Sequence, residues 1–173
     1  VRQQLTSGTL APGRQSVMLD LLAAIGSSAD AELVLKLGSD QPGALRALAV
    51  SFRERGLSAP ASASDRLGPA LASPNRELRV EAIVLCGLWK LNAHSPVILR
   101  IMGDRKEAAV VRAAAAEALG ALSGPALANE LAGLATQEQK PSLRRAAIGS
   151  LARHDAARAA KRAAALLSST SPA

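Results

Sequence analysis

One phrase constrains this chain more than anything else in it. Residues 110–122 read Val-Val-Arg-Ala-Ala-Ala-Ala-Glu-Ala-Leu-Gly-Ala-Leu. Counted from Arg112, the small or apolar residues at +3, +4, +6 and +7 share one side of an α-helix, and Gly120 follows at +8. A face with so little bulk forces close approach between neighbouring helices. The phrase returns at 143–151, 78–87 and 45–52, and more faintly at 17–26. Aligned on the basic residue, the copies give Arg46, Arg79, Arg112 and Arg144, spaced 33, 33 and 32 residues apart, with Met18 in the same slot 28 residues before Arg46. The +3 slot then holds Leu21, Ala49, Ala82, Ala115 and Ala147, and the +7 slot Ile25, Arg53, Cys86, Leu119 and Leu151. A period of this length, with a shorter and a longer helix in each unit, is the signature of an α-solenoid.

Composition agrees. Hydrophobic residues make up 49% of the 173, but the aromatics are only Phe52 and Trp89, with no Tyr. Ala, Leu, Val and Ile must build the core, and without strand-like alternation the chain reads as all-α. Helices are expected over 14–25, 29–37, 42–55, 64–71, 76–91, 95–102, 106–122, 126–135, 142–153 and 156–167. Ser27 with Asp30, and Asn75, supply N-terminal caps; Gly26, Gly38 and Gly56 supply stops. Residues 1–13 read as a linker or disordered start, 14–167 as the repeat domain and 168–173 as a disordered tail. Because the sequence starts at Val1, the chain is expected to be a piece of something longer.

The phrase Val111-Arg112-x-x-Ala115-Ala116-x-Ala118-Leu119-Gly120, following a turn and a short helix, resembles the second helix of a HEAT repeat, and is close to the short HEAT-like repeats of bilin lyases. The resemblance implies a right-handed α-solenoid of about four helix pairs with a leading and a trailing helix. It also implies an Asp six residues before the Arg, the two forming a ladder between repeats. Asp40 before Arg46 fits, Glu138 before Arg144 fits approximately, and Ser73 and Lys106 before Arg79 and Arg112 do not. More narrowly, Cys86-Gly87-Leu88-Trp89-Lys90-Leu91, with Leu143-Arg144-Arg145-Ala146-Ala147-Ile148, is similar to the helical segment of large exported bacterial membrane-bound dehydrogenase-type proteins that also carry a c-type haem domain. The chain has no Cys-x-x-Cys-His, so that resemblance brings no haem function, but it implies a periplasmic or exported location; otherwise the location is cytoplasmic.

No catalytic constellation is visible: there is no phosphate-binding Gly loop, nucleophile elbow or carboxylate pair. His94 and His154 belong to no His-Glu pair, which argues against a metal site and against HEAT-like di-iron hydroxylases. Cys86 occupies an apolar slot and reads as a small core residue. No cofactor is expected. No run of eighteen apolar residues exists, so no membrane insertion is expected.

Charge is the one asymmetry. Residues 1–86 carry nine basic and eight acidic side chains, whereas 87–173 carry twelve and six. Arg144, Arg145, Arg153, Arg158, Lys161 and Arg162, near Lys140, are opposed only by Asp155 among neighbouring charges. They form the candidate partner-binding set, as phosphate or acidic-protein ligands or as the solvated cap of a terminal repeat. The Arg46, Arg79, Arg112 and Arg144 column reads as structural rungs. The leading expectation is a non-catalytic scaffold, engaging another protein or neighbouring domains of the same parent chain through the surface of the Arg-bearing helices. The alternative is a nucleic-acid-binding protein resembling the HEAT-repeat alkylpurine glycosylases and using the basic C-terminal half; scarce aromatics to stack bases stand against it. A bilin-lyase-like activity has only the repeat type behind it.

Overall fold

The computed structural model describes residues 2–7, 10–124, 126–137 and 140–169. Among them every regular element is helical, and the chain divides into two compact units, Val1–Trp89 and Lys90–Ala173. The all-α class is as expected.

The first unit holds α1 (Arg2–Thr6), α2 (Pro12–Ile25), α3 (Ser28–Gly38), α4 (Pro42–Arg55), α5 (Ala63–Leu71) and α6 (Arg76–Leu88). Helices α3 and α4 pair, as do α5 and α6, and α2, α4 and α6 lie side by side in one row while α3 and α5 adjoin in the other. Local chemistry sets the ends. Asp30 Oδ2 accepts from the Ser27 N–H at 2.7 Å and from its hydroxyl at 2.8 Å, closing the first turn of α3. Asn75 Oδ1 accepts from the Glu77 and Leu78 N–H groups at 3.0 and 3.3 Å and starts α6. Pro42 sits in the first turn of α4, and Gly56, at φ +64°, ends it with its N–H on the Phe52 carbonyl.

The start of the chain differs from a linker. Residues 2–6 form α1, with Leu5 buried, and α2 begins at Pro12. Arg2 anchors α1 by a two-pronged contact with Asp30, one prong being Nη2 to Oδ2 at 2.6 Å. This contact, aided by the Ser27 bonds, holds the Asp30 carboxyl well below the usual carboxylate range. Its folded-state value lies under that of the unfolded chain, so its stabilisation is complete above about pH 4 and fades as pH falls further. In urea titrations from pH 6 to pH 3, the wild-type midpoint is expected to fall more than that of Arg2→Ala, which already lacks the main contact; equal falls would reject this.

The second unit holds a short 3-10 turn at Asn92–His94 followed by α7 (Ser95–Gly103), α8 (Ala109–Leu119), α9 (Leu127–Gln137), α10 (Pro141–His154) and α11 (Ala156–Ser169). Helices α7 with α8 and α9 with α10 are the pairs, α8 and α10 adjoin, and α11 covers parts of α10 and α9. Two helices are shorter than expected. Helix α6 stops at Leu88 because Trp89 and Lys90 turn, with Lys90 in the left-handed region at φ 53°. Helix α8 starts at Ala109 because Asp104 organises a turn, its carboxylate accepting the Lys106 N–H at 2.9 Å and its carbonyl the Glu107 N–H at 3.1 Å. At the other end α11 runs through Ser169, so 168–169 are not a disordered tail; 170–173 lie outside the described residues.

Small side chains make the joints. Ala49, Ala82, Ala115 and Ala147, the +3 residues, are all essentially buried. The residue just before each Arg is buried too: Leu45, Leu78, Val111 and Leu143. The expected alignment fails in the first copy. Leu21 is 46% and Ile25 71% exposed, while Leu19, Leu22 and Ala23 are buried. Leu19 therefore takes the place of Leu45 and Ala23 that of Ala49, so Asp20, not Met18, occupies the arginine slot.

Candidate functional site

The arginine column divides by burial. Arg112 is 5% exposed and its Nε donates to the Met102 carbonyl at the end of α7, at 2.8 Å. Arg79 donates to the Ser73 carbonyl in the preceding turn at 2.5 Å. Both hold the second helix of a pair to the backbone before it, with a carbonyl taking the role expected of a turn acid. Arg46 behaves differently. It reaches forward to α6, with Nε on Glu81 at 2.8 Å and Nη2 on Glu77 at 2.5 Å, so the expected Asp40 rung is replaced by two acids of the next repeat. Arg144 is half-buried, and its Nε has no hydrogen-bond partner among the described residues; Glu138, its expected acid, lies outside them.

A second set of rungs was not foreseen. Arg55, in the last turn of α4, donates to the Gly26 and Ala23 carbonyls at the end of α2, at 2.6 and 2.9 Å. Arg153, in the last turn of α10, donates to the Glu117 carbonyl of α8 at 3.3 Å, and His154 Nε2 lies 2.9 Å from the Leu119 carbonyl. Arg55 and Arg153 both stand nine residues after the column arginine of their helix. Cations suit these ends, where unpaired carbonyls concentrate negative charge. The other copies carry Leu88 and Ala121 at that position, so the pattern is too interrupted to see in the sequence.

The basic set does not converge on one point. Arg153 is engaged at the end of α8, and Arg158 turns to α9, donating to Asn129 Oδ1 at 2.8 Å. Arg145 and Lys161 are exposed, and Arg144 and Arg162 half-buried. The lone acid, Asp155, accepts the Arg158 backbone N–H and caps α11.

Cys86 is fully buried, and burial pushes its thiol up to about 12. Native protein at pH 8 is expected to leave a thiol reagent such as Ellman's unreacted for hours and to react stoichiometrically once unfolded in guanidinium; rapid native reaction would contradict this burial. Among the described residues no three His, Cys, Asp or Glu side chains gather to hold a metal ion, and no helix is long and apolar enough to cross a membrane.

Exposure favours the second helices within each unit. Among the described residues the exposed large hydrophobics are Val17, Leu21 and Ile25 on α2, Val50 on α4, Val110 on α8 and Leu167 on α11. All but Leu167 belong to the second helices of the pairs or to α2 in their row. Between α2 and α4 this surface dips into an open groove of about 360 Å³, lined by Asp20, Ala24, Arg46, Ala47, Val50 and Glu54, with Gly43 and Ser51 beneath.

Helix pairs joined through buried alanines, with each second helix tied to its predecessor by arginine on backbone carbonyl, define an α-helical repeat protein. Residues 64–152, just over half of the chain, match the family described as HEAT repeats, and the chain belongs to that family. A search of the curated proteins finds no match.

Proposed function

We propose that the chain is a non-catalytic protein-interaction module that receives its partner on α2 and the second helices of its pairs. HEAT repeats are commonly protein-interaction scaffolds. The observation that carries the reading is the exposure of Val17, Leu21 and Val50 on α2 and α4 in the first unit and of Val110 on α8 in the second, while the described residues of α3, α5, α7 and α9 expose no large apolar side chain. Exposed apolar side chains grouped on one surface mark contact sites, as Val17, Leu21 and Val50 do in the first unit, where Arg55 ties α4 to α2. Another protein, or a neighbouring domain of the same parent chain, is the occupant; the likeness to exported dehydrogenase-type proteins supports the second source and a periplasmic setting.

Photo-crosslinking tests this. A benzophenone residue at position 50 or 110 is expected to crosslink to a protein or adjoining domain, and one at Lys36 or Glu130 on the first helices is not. Equal crosslinking from both rows, or none from 50 and 110, would overturn the reading.

A second reading rests on α10 and α11. Arg145 and Lys161 are exposed and Asp155 is committed to a cap, so an acidic protein or nucleic acid would meet a nearly unopposed positive surface. A fluorescent duplex DNA titrated at 20 mM and 200 mM salt decides: a steep loss of affinity with salt supports it, and no binding at low salt removes it.

A further inference from the structure

The groove between α2 and α4 carries a more specific statement about what it receives. Three charged side chains line it: Asp20, Arg46 and Glu54. Arg46 is already matched, since Glu77 and Glu81 of α6 take its Nη2 and Nε. Asp20 and Glu54 are in no ion pair among the described residues, and the buried Asp20 Oδ1 has no hydrogen-bond partner there. That oxygen sits over Gly43, 3.4 Å from where a Cβ would stand. Its free charge is therefore negative, although the whole chain is strongly basic.

Ala24, Ala47 and Val50, the last 42% exposed, supply the groove's apolar lining, and α2 carries exposed Val17 and Leu21 three residues before and one after Asp20. A buried carboxylate oxygen without a donor is costly, and a cationic side chain with apolar neighbours satisfies it and covers these apolar side chains at once.

We infer that the α2–α4 groove binds a polypeptide segment presenting one Lys or Arg flanked by Leu, Ile, Val or Met, with the cation on Asp20 and Glu54 and the apolar side chains on Val17, Leu21 and Val50. This rests on the reading of α2 and the second helices as contact surface and names the chemistry of the partner in the first unit.

A displayed library of random dodecapeptides, panned against the whole protein, tests the inference. Enriched peptides are expected to carry a single Lys or Arg between large aliphatic residues. Their affinity, read by fluorescence anisotropy, should fall at least tenfold in Leu21→Asp and in the double variant Asp20→Asn with Glu54→Gln, and weaken with salt. Leu21 is solvent-exposed, so Leu21→Asp keeps the fold, as circular dichroism would verify. Acidic enriched peptides, or cationic ones indifferent to both variants, would overturn the groove assignment, as would a library yielding no binder. Peptides lost instead on Val110→Asp would overturn the groove while leaving the interaction-module reading in place. Failure of that broader reading appears separately, as absent crosslinking from positions 50 and 110.

Discussion

Gly120→Ala is expected to destabilise the second unit by about 1–3 kcal/mol, the cost of forcing an extra carbon into a filled joint. Gly120 closes α8 in an ordinary right-handed conformation, φ −65° and ψ −21°, so alanine meets no backbone objection. The objection is Ser150 of α10. A Cβ on Gly120 would lie 2.7 Å from the Ser150 Cβ, 2.8 Å from its Oγ and 2.9 Å from its Cα. Ser150 is 2% exposed, and its Cα cannot yield without moving α10. Gly133→Ala in α9 is the control, because a Cβ there meets nothing within 4 Å. It should stabilise by about 0.5–1 kcal/mol through helix propensity alone. Ser150→Gly introduced beside Gly120→Ala should recover part of the loss, a non-additivity that identifies the joint as the cause. Urea denaturation of these variants, Ser150→Gly alone and the wild type measures all of this, and equal effects at 120 and 133 would reject the close approach.

Arg112→Met is expected to lose about 2–3 kcal/mol, whereas Arg46→Met should lose less, about 1 kcal/mol, although both occupy the same slot of the repeat. Methionine keeps much of the apolar stem and removes the guanidinium. At Arg112 that leaves the Met102 carbonyl without its charged donor in a buried setting. At Arg46, whose side chain is 54% exposed, water replaces the guanidinium at Glu77, 56% exposed, and only Glu81, 11% exposed, is left short of its donor. Comparable losses at the two positions would mean that the column acts as one ladder, contrary to the observed division.

Much of this architecture was legible before any coordinates. The alanine slots, the Asn75 cap, the Ser27–Asp30 cap and the Gly56 stop act within a few residues of themselves, and local chemistry specifies them. The first copy misled because α2 is apolar nearly all round: Val17, Met18, Leu19, Leu21, Leu22 and Ile25 offer two equally good stripes. Only its neighbours decide which stripe is buried, and they chose Leu19, Leu22 and Ala23. The rungs from Arg55 and Arg153 were invisible for a related reason. Their partners are backbone carbonyls 29 to 36 residues away, and a carbonyl leaves no mark in a sequence. The basic set illustrates the reverse case: its members are neighbours along the chain, yet α10 and α11 send Arg153 and Arg158 to different helices. The α2–α4 groove joins Asp20 to Glu54 across two repeats, and its negative character follows only once Arg46 is known to be spent on α6.

The scarcity of aromatic residues has a practical corollary. Trp89 is the single indole of the chain, there is no tyrosine, and the side chain is 9% exposed with its Nε1 making no hydrogen bond among the described residues. An indole shielded from water emits at short wavelength, so excitation at 295 nm reads one spot at the close of α6. A red shift in that emission therefore dates the loosening of the first unit, while far-ultraviolet circular dichroism records the loss of helix everywhere. Any lag between the two signals would reveal whether the units melt together or in turn.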